Sequence, residues 1–525
     1  MATETTDYCQ PVATRRSSIT VGGPVPGERR PSRQGPDSIS GQLNGRRPSR
    51  QGSDHLSGRR PSRHSGSDPV PGPKPDPDGR RPPPTRRPPP PPPPPRFFST
   101  TPRDPAGTAS ETESDERSRC ATPPDRTDDA GPVLERVPTF LQPSLPWRKR
   151  ILHVTFAWYT VTMSTSGIAL LLAITPHRFP GLSTLGLTLF FFDLVIFTLI
   201  TLVLLLRFAL YKNTLRRALT RPGEALFVPT LFLSVSAILT NAAEYGRLFL
   251  VPRGGEAGLG RGLEVVFWGY LGVVFAAAVG EYHLLFVAKR ERRLRVGAMT
   301  PAWILPVFPV MLGGTLAGAV AKSLAPPHAI AVICAGLAAQ GLGMLISCFF
   351  YATYLSRLMV FGLPDKRPAM FIAVGPPSFT CSALISMANE VPRVLRDTLG
   401  GSALPVGPAA VDVPTLAAGV WIVAVAAAVF LWGLSFWFFC GAVVAVAAGM
   451  PYRKFDLSWW SFVFPNVGFV FSTIRIGTAL GSRGLLWFGT VMTVALVLAW
   501  AFIAWRCVRA VYRREIVWPG HDEDS

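Results

Sequence analysis

The chain contains 525 residues, of which 48% are hydrophobic, and its 53 Lys and Arg against 33 Asp and Glu give a formal net charge of +20 at pH 7. Beside long apolar runs, such a basic excess is typical of cytoplasmic loops and anionic lipid headgroups, so we expect a lipid bilayer around the protein and no nucleic acid partner. The seven cysteines form no CxxC pair, which argues against a disulfide framework and against a metal site.

The N-terminal region, residues 1–146, is polar, rich in Pro, Ser and Arg, and shows no sustained apolar periodicity. Such a composition cannot bury enough surface to offset chain entropy, so we predict a disordered, basic cytoplasmic tail. The run Pro88–Pro95 is typical of polyproline II. Four serines follow the pattern Arg-Arg-x that a basophilic kinase reads, since paired guanidinium groups bind acidic side chains. The candidate phosphorylation sites for such a kinase are Ser18, Ser32, Ser49 and Ser62.

Long apolar runs fill residues 147–514, and residues 515–525 are left as a short C-terminal tail. A helix needs about 20 apolar residues to cross the hydrocarbon core. The runs predict ten spans, numbered here in chain order: roughly 151–175, 184–210, 224–244, 262–287, 300–321, 327–355, 368–390, 414–448, 457–480 and 485–511.

Basic residues cluster tightly in every loop on one side of these spans, as in 289–295 after span 4, and are scattered on the other side. With the tail in the cytoplasm, the positive-inside rule places both termini there and arranges the spans as five helical hairpins. We therefore predict a multi-pass integral membrane protein, located in the plasma membrane.

Proline occurs inside the odd-numbered spans and avoids the interiors of the even-numbered ones. Each proline removes a backbone hydrogen bond, and a helix facing lipid accommodates that poorly. One helix of each hairpin is thus predicted to lie inside and the other outside, with five inner helices around a central pathway. Span 1 has the polar run Thr162–Gly167 instead of a proline. The predicted helix breaks are Pro229, Pro306, Pro309, Pro376, Pro377 and Pro465.

Three stretches then make the chain recognisable: MTPAWILPVFPV at Met299–Val310, RPAMFIAVGPPSFT at Arg367–Thr380 and WWSFVFPNVGFVFSTIRIG at Trp459–Gly477. They resemble the family of tellurite-resistance and C4-dicarboxylate transporters, within the voltage-dependent anion channel superfamily. The second stretch is most similar to the fungal malic acid permeases. The resemblance implies an all-α fold of ten transmembrane helices around a quasi-fivefold pore that a phenylalanine occludes. Bacterial relatives imply a homotrimer.

The resemblance assigns the pore gate to Phe464. Phe471 is seven residues further on and lies nearly on the same helical face, so periodicity alone leaves it as the alternative. Arg475 is eleven residues from Phe464, about three helical turns. It either faces the pore, where it would attract anions, or extends to the outer headgroups.

Hydroxyl groups on the odd spans could replace part of the hydration shell of an anion. The predicted pore-lining residues are Thr162, Ser164, Ser378 and Thr380. Three ionisable residues on even spans, Asp193, Glu281 and His283, are interpreted as inter-helix or interfacial groups.

The predicted function is transport of small organic anions, namely malate, succinate and related C4-dicarboxylates, through an electropositive pore. The alternatives within the family are a sulfite efflux pump and an anion channel. The sequence lacks HExxH, GxSxG and GxxxxGK[ST], so we predict neither an enzyme nor a cofactor. A non-conducting scaffold that uses the proline-rich tail is the remaining class.

Overall fold

The computed structural model describes residues 145–249, 256–290, 293–399, 404–406, 409–450 and 455–517, with the backbone alone at 256–257, 399, 404–406 and 409–410. The chain divides into two units, Met1–Ala121 and Thr122–Ser525, and every described residue belongs to the second. Residues 518–525 lie outside the described residues, as do the proline run and the predicted phosphorylation sites Ser18, Ser32, Ser49 and Ser62.

The apolar runs fold into helices because only a helix satisfies its own backbone polar groups in hydrocarbon. The even spans are single α-helices: Leu182–Leu210, Glu256–Phe286, Pro326–Phe361, Val413–Ala447 and Arg483–Tyr512. The odd spans combine short helical segments with an α-helix. They are Phe156–Trp158 and Tyr159–Ile174 in span 1, Pro222–Ala225 and Pro229–Phe249 in span 3, and Pro301–Ile304, Phe308–Val320 and Ala321–Ser323 in span 5. Span 7 contains Arg367–Val374 and Gly375–Ala388, and span 9 contains Leu457–Phe462 and Phe464–Ala479.

The connections between spans contain only short elements among the described residues. They are the helices Thr214–Thr220, Val296–Ala298 and Val391–Leu399, and one antiparallel hairpin of Leu404–Val406 with Ala409–Val411. The short helix Trp147–Ile151 precedes span 1.

Nine helical segments in the described part of the chain are long and apolar enough to cross a membrane, and they coincide with predicted spans 1–4 and 6–10. Span 5 is divided, because its α-helix Phe308–Val320 has only 13 residues and the separate segment Pro301–Ile304 precedes it. The all-α, multi-pass membrane fold is thus confirmed, whereas the tenth crossing stays a prediction.

Burial separates the odd spans from the even ones. The most apolar window of spans 1, 3, 7 and 9 is between 56% and 94% buried inside the protein, against 22% to 39% for the five even spans. In the span 5 helix every residue except Thr315 is buried. The odd spans are therefore inner helices, and the even spans present apolar side chains outwards, such as Leu199, Val265 and Phe430.

Prolines mark the place where the inner α-helices begin. Pro229 is the first residue of its helix, and Pro309, Pro376, Pro377 and Pro465 lie in the first turn of theirs. The first turn of an α-helix has backbone N–H groups without helical partners, so a proline is accommodated there without losing a hydrogen bond.

The predicted breaks consequently lie at the start of the α-helices. In spans 5, 7 and 9 a 3-10 segment ends just before the α-helix begins. Pro306 lies between the two segments of span 5.

The inner helices form a closed ring of contacts. Each odd span packs against the next odd span in chain order, and span 9 packs against span 1. Side chains that face the middle of this ring thus come from spans far apart in sequence. Fivefold symmetry of the ring stays a prediction.

Candidate functional site

A cluster of twelve buried apolar residues, called here the central cluster, lies where the five inner helices meet. All twelve residues come from odd spans: Met163 from span 1; Leu233 and Ala237 from span 3; Ala302, Leu305, Phe308, Met311 and Leu312 from span 5; Ala369, Ile372 and Phe379 from span 7; and Phe464 from span 9. Such a cluster is a dry region between the inner helices, with no charged side chain among its members.

Three phenylalanine rings contact one another within the central cluster. The Phe379 and Phe464 rings are stacked with centroids 5.2 Å apart. The Phe308 ring meets Phe379 edge-on at 5.9 Å and Phe464 at a tilt at 6.3 Å. These distances are in the range of favourable aromatic pairs. Spans 5, 7 and 9 are thus joined by aromatic contacts, and the Phe464 side chain is only 2% exposed.

Two of these rings lie against a glycine of the neighbouring inner helix. A Cβ atom on Gly375 would come within 2.6 Å of Cζ of Phe308, and one on Gly468 within 2.7 Å of Cε2 of Phe379. Carbon atoms in contact prefer 3.5–4.0 Å, so any side chain at either glycine would displace the ring. The absence of a side chain is therefore what lets the rings meet.

The Phe464 ring faces Gly167 of span 1 less tightly. A Cβ atom on Gly167 would be 3.5 Å from Cδ2 of Phe464, an ordinary contact, and 3.1 Å from Cγ2 of Val467. Phe464 is also the first residue of its α-helix, after the 3-10 segment Leu457–Phe462. Its ring therefore extends from the start of a helix and lies beside span 1 as well as spans 5 and 7.

Phe471 belongs to a different cluster, which spans 1, 9 and 10 build. Its ring lies 5.9 Å from the Arg475 guanidinium carbon, a cation–π geometry. The structure thus places the Phe464 ring in the central cluster and the Phe471 ring in the cluster of spans 1, 9 and 10. The seven-residue spacing could not distinguish these two positions.

Arg475 is half-buried near the end of span 9. Its Nε is buried and has no hydrogen-bond partner among the residues that the structure describes. The guanidinium interacts electrostatically with Glu244 and Arg247 of span 3 and with Glu390 after span 7. The Phe471 ring, which belongs to the cluster of spans 1, 9 and 10, lies against the same guanidinium, so the pore-facing role of Arg475 stays a prediction.

Ion pairs surround Arg475 at this end of the inner helices. The Glu244 carboxylate accepts hydrogen bonds from Arg247 at 2.7 Å and from Lys322 at 2.5 Å. Arg393 donates to Glu390 at 3.1 Å, and to the carbonyl oxygens of Ala321 at 2.8 Å and Leu324 at 3.1 Å. We call this set the end cluster: Glu244, Arg247, Lys322, Glu390, Arg393 and Arg475. Its four cations and two carboxylates give it positive charge.

The predicted hydroxyls of span 1 join inner helices to one another. Thr162 Oγ1 lies 2.6 Å from Ser234 Oγ of span 3, and Ser164 Oγ donates to the Trp460 carbonyl of span 9 at 3.4 Å. Both Thr162 and Ser164 are fully buried.

The predicted hydroxyls of span 7 contact the outer helices instead. Ser378 forms a hydrogen bond with Ser435 of span 8, and Thr380 Oγ1 accepts one from Gln340 of span 6 at 2.8 Å. Thr380 Oγ1 also lies 3.8 Å from Sδ of Met311 in the central cluster. The contacts of Ser378 therefore do not favour a pore-lining role, those of Thr380 lie on both sides of its helix, and both roles stay predictions.

Of the buried polar groups that were not identified from the sequence, two join neighbouring spans. The first is Arg207 of span 2, which forms a two-pronged ion pair with Glu224 in the first segment of span 3, and both side chains are buried. Arg207 could have been identified from the sequence as a functional or paired residue, because it is a charged residue within an apolar run.

The second group is an amide in span 3. Asn241 donates to the carbonyl and to Oγ of Ser166 in span 1 at 2.8 and 2.9 Å, and the buried Asp193 of span 2 interacts with Ser166. Of the other ionisable residues on even spans, Glu281 is buried and His283 is exposed.

Comparison with known proteins identifies the family. A family model described as "Voltage-dependent anion channel" matches residues 153–508. The malic acid transport protein of Schizosaccharomyces pombe is 33% identical over 395 residues, which cover 73% of this chain and 84% of that protein. A putative malic acid transport protein of the same yeast is also 33% identical, over 73% of this chain and 85% of its own length.

A more distant relative is the sulfite efflux pump SSU1 of Trichophyton rubrum, which is 23% identical over 66% of this chain and 88% of its own length. The resemblance predicted from the three sequence stretches is confirmed by these matches. The chain belongs to the voltage-dependent anion channel family.

Proposed function

We propose that the protein transports malate and other C4-dicarboxylates along the axis between its five inner helices, and that the Phe464 ring closes this pathway. The observation that carries the proposal is the composition of the central cluster. Its twelve residues come from the five inner helices alone, and Phe464 is one of three rings in contact at its middle.

The central cluster forms a barrier because it is dry and apolar. A carboxylate that enters such a region loses its hydration without gaining a partner, and the Born cost of moving an ion of that size is of order 20 kcal/mol. Movement of the ring would open a wider passage that an anion could cross with part of its water.

The end cluster would supply the attraction for anions. Four cations and two carboxylates surround the inner-helix ends there, and a cleft of one sign raises the local concentration of opposite charges. Arg475 lies among these charges, and it is the cation that we propose to bind a carboxylate of the substrate.

The substrate is proposed from the relatives at 33% identity, which are named malic acid transport protein and putative malic acid transport protein. Sulfite efflux is the second candidate, because a sulfite efflux pump matches at 23% identity. Both substrates are small oxyanions, so the same positive end cluster would attract either.

Transport by purified protein in liposomes tests this proposal. The liposomes are offered labelled malate, succinate, sulfite and chloride separately, with wild type, Phe464→Ala and Phe471→Ala. We expect malate and succinate uptake by wild type, about tenfold faster uptake by Phe464→Ala, and little change in Phe471→Ala, because only Phe464 lies in the central cluster.

Each outcome of that experiment tests one part of the proposal: the substrate, the gate or transport itself. Sulfite uptake without malate uptake would make sulfite the proposed substrate and leave the proposed pathway unchanged. An equal gain in Phe464→Ala and Phe471→Ala would remove Phe464 as the gate. If no anion entered through any variant, the transport proposal would be wrong.

The arrangement in the cell is part of the same proposal. We place both termini in the cytoplasm, the protein in the plasma membrane as a homotrimer, and a kinase at Ser18, Ser32, Ser49 and Ser62. Accessibility of single cysteines introduced at Lys289 and at Arg483, in a variant without the seven native cysteines, checks the topology, since the proposal puts these two residues on opposite sides of the membrane. Labelling of both from outside would contradict it.

A further inference from the structure

A buried carboxyl group lies near the middle of the bilayer in span 2. Asp193 is the twelfth residue of the helix Leu182–Leu210, so it is about 16 Å from one end and about 26 Å from the other at 1.5 Å per residue. With that helix centred in a hydrocarbon core about 30 Å thick, the carboxyl lies about 10 Å below the nearer surface. The short Asp side chain cannot extend to either surface from there, and Asp193 is 0% exposed.

The carboxyl faces the inner helices and not the lipid. The buried residues of span 2 form one stripe, which includes Gly186, Phe190 and Asp193. The Phe190 ring stacks on Tyr245 of span 3 with centroids 6.0 Å apart. A Cβ atom on Gly186 would come within 3.1 Å of Cβ of Leu172 in span 1. Asp193 therefore lies where span 2 packs against spans 1 and 3.

Hydrogen-bond acceptors outnumber donors around this carboxyl. The Asn241 amide donates to the carbonyl and Oγ of Ser166 and to the carbonyl of Ala237, at 2.8, 2.9 and 3.0 Å, which fixes its orientation. In the described part of the chain, Asn241 Oδ1 and both carboxyl oxygens of Asp193 are buried without a hydrogen bond of normal geometry. The Ser166 hydroxyl interacts with Asp193, so these three acceptors share one donor proton.

Titratable side chains on spans 1 and 3 face this region but are bonded to other groups. The Tyr159 hydroxyl lies 2.9 Å from Thr201 Oγ1, and the Tyr245 hydroxyl donates to the Ala169 carbonyl at 2.7 Å. The charged groups on and around spans 2 and 3 are likewise engaged elsewhere: Arg207 with Glu224, Glu244 with Lys322 and Arg247, and Arg178 with the Ala173 carbonyl. Among the described residues, no cation is thus paired with Asp193.

We propose that Asp193 is a proton-binding site, and that its carboxyl holds a proton while span 2 is packed against spans 1 and 3. An ionised carboxylate removed from water without a partner is so costly that the group takes up a proton instead. The proton also converts one acceptor into a donor, so the carboxyl and the Ser166 hydroxyl can satisfy each other. A sodium ion would neutralise the charge too, but Asp193, Ser166 and Asn241 are each 0% exposed, which leaves no water-sized space beside them.

The proton site is one residue away from the contact with the Phe464 ring. Ser166 precedes Gly167, at which a Cβ atom would lie 3.5 Å from Cδ2 of Phe464. Loss of the proton would leave a charge that needs water or a cation beside it, and spans 1 and 2 would have to separate to admit either. If Phe464 closes the pathway, a point that rests on the proposed function, release of the proton would change the packing behind that ring.

Infrared difference spectroscopy of the full chain in liposomes tests the protonation state directly. At neutral pH, the spectrum of wild type minus that of Asp193→Asn should contain the C=O stretching band of a neutral carboxylic acid. Asp365→Asn is the matched control, because it makes the same change at an exposed residue, and its difference spectrum should contain carboxylate bands instead. Carboxylate bands in the Asp193 difference spectrum, with or without sodium, overturn the proposal.

The pH dependence of stability gives a second test with a defined sign. In the unfolded chain the Asp193 carboxyl meets water and loses its proton near about pH 4. The folded protein keeps this proton, so the group makes the unfolding equilibrium constant rise with pH, by up to about tenfold per pH unit. The unfolding temperature of Asp193→Asn minus that of wild type should therefore increase between about pH 5 and pH 7. A difference that does not change with pH, or an equal increase in Asp365→Asn, overturns the proposal.

Ser166→Ala keeps the carboxyl and serves if Asp193→Asn does not yield folded protein. It removes the hydroxyl that interacts with Asp193, so the C=O band should move to higher frequency. Ser347→Ala is the matched control, since the buried Ser347 hydroxyl donates to the Gly343 carbonyl at 2.7 Å, and it should leave the band in place. A band that neither variant moves, or that both move equally, overturns the proposal. Because these measurements involve no anion transport, their failure is separate from a failure of the proposed function.

Discussion

The inner and outer helices of this protein use apolar residues for opposite purposes. On the inner helices, apolar side chains face one another, and glycines let aromatic rings of neighbouring helices come together. On the outer helices, a Cβ atom added at Gly419 or Gly433 would meet no described atom within 4 Å beyond the glycine's own stretch of helix. Other outer-helix glycines do pack against an inner helix, since a Cβ atom on Gly343 of span 6 would come within 2.4 Å of Cβ of Met311. A glycine is thus a packing requirement where two helices meet and neutral where it faces outwards. Paired substitutions, one in each layer, can therefore test the division.

The largest effect on stability is expected at the buried ion pair of Arg207 and Glu224, which joins an outer helix to an inner span. Glu224→Gln should lower the free energy of unfolding by about 3–5 kcal/mol, because Arg207 would stay buried without its counter-ion. The double variant Arg207→Met/Glu224→Leu should recover most of that loss. Thermal unfolding in detergent measures both. If Glu224→Gln were as stable as wild type, Arg207 would have to be solvated by water instead of being buried without a counter-ion.

The second largest effect on stability is expected from alanine substitutions of glycine, and only where the glycine packs against an aromatic ring of an inner helix. Gly375→Ala should lower stability by about 1–3 kcal/mol, because the new methyl group would displace the Phe308 ring. Gly433→Ala on span 8 is the matched change and should be neutral or slightly stabilising, since alanine is the better helix former. The same thermal unfolding assay applies. Equal losses would contradict the contrast between the layers.

Aromatic truncation should affect transport only in the inner layer. Phe464→Ala should raise malate uptake about tenfold by removing the barrier ring. Phe430→Ala removes an 80% exposed ring from an outer helix and should leave uptake within experimental error. Liposome uptake of labelled malate measures both. A gain in the outer variant would point to a general loosening of the protein.

The smallest effect is expected at the end cluster. Arg475→Gln should reduce malate uptake about threefold at low ionic strength, and less in high salt, because the attraction is screened. Arg483→Gln changes an exposed arginine at the start of span 10 and is the control. Uptake measured at two salt concentrations distinguishes attraction from a structural effect, which salt would not reduce.

Periodicity and loop charge predicted the positions of most helices and the division into inner and outer layers, since hydropathy and proline placement are local properties. Burial of the odd spans agrees with that division. The divided span 5 was not predictable in the same way. Its residues are as apolar as those of a continuous helix, and Pro306 and Pro309 gave the position of a break without its form.

Side-chain directions were the part that the sequence left open. Phe464 and Phe471 have almost the same helical phase, yet they pack in different clusters. Both lie in the α-helix Phe464–Ala479, but seven residues separate them by about 10 Å along its axis at 1.5 Å per residue. The same helical face therefore meets different neighbours at the two levels. Ser378 shows the same limit, because a residue on an inner helix can still form its hydrogen bond with the layer outside it.

The lengths of the helices couple the outer layer to the thickness of the bilayer. Spans 6 and 8 contain 36 and 35 residues, and such helices are more than about 50 Å long at 1.5 Å per residue, against a hydrocarbon core of about 30 Å. They must tilt, project beyond the core or thicken the surrounding lipid. The inner α-helices have 13 to 21 residues and are under no such mismatch. A change in lipid chain length therefore acts first on the outer helices, and it reaches the Phe464 ring only through the contacts between the layers.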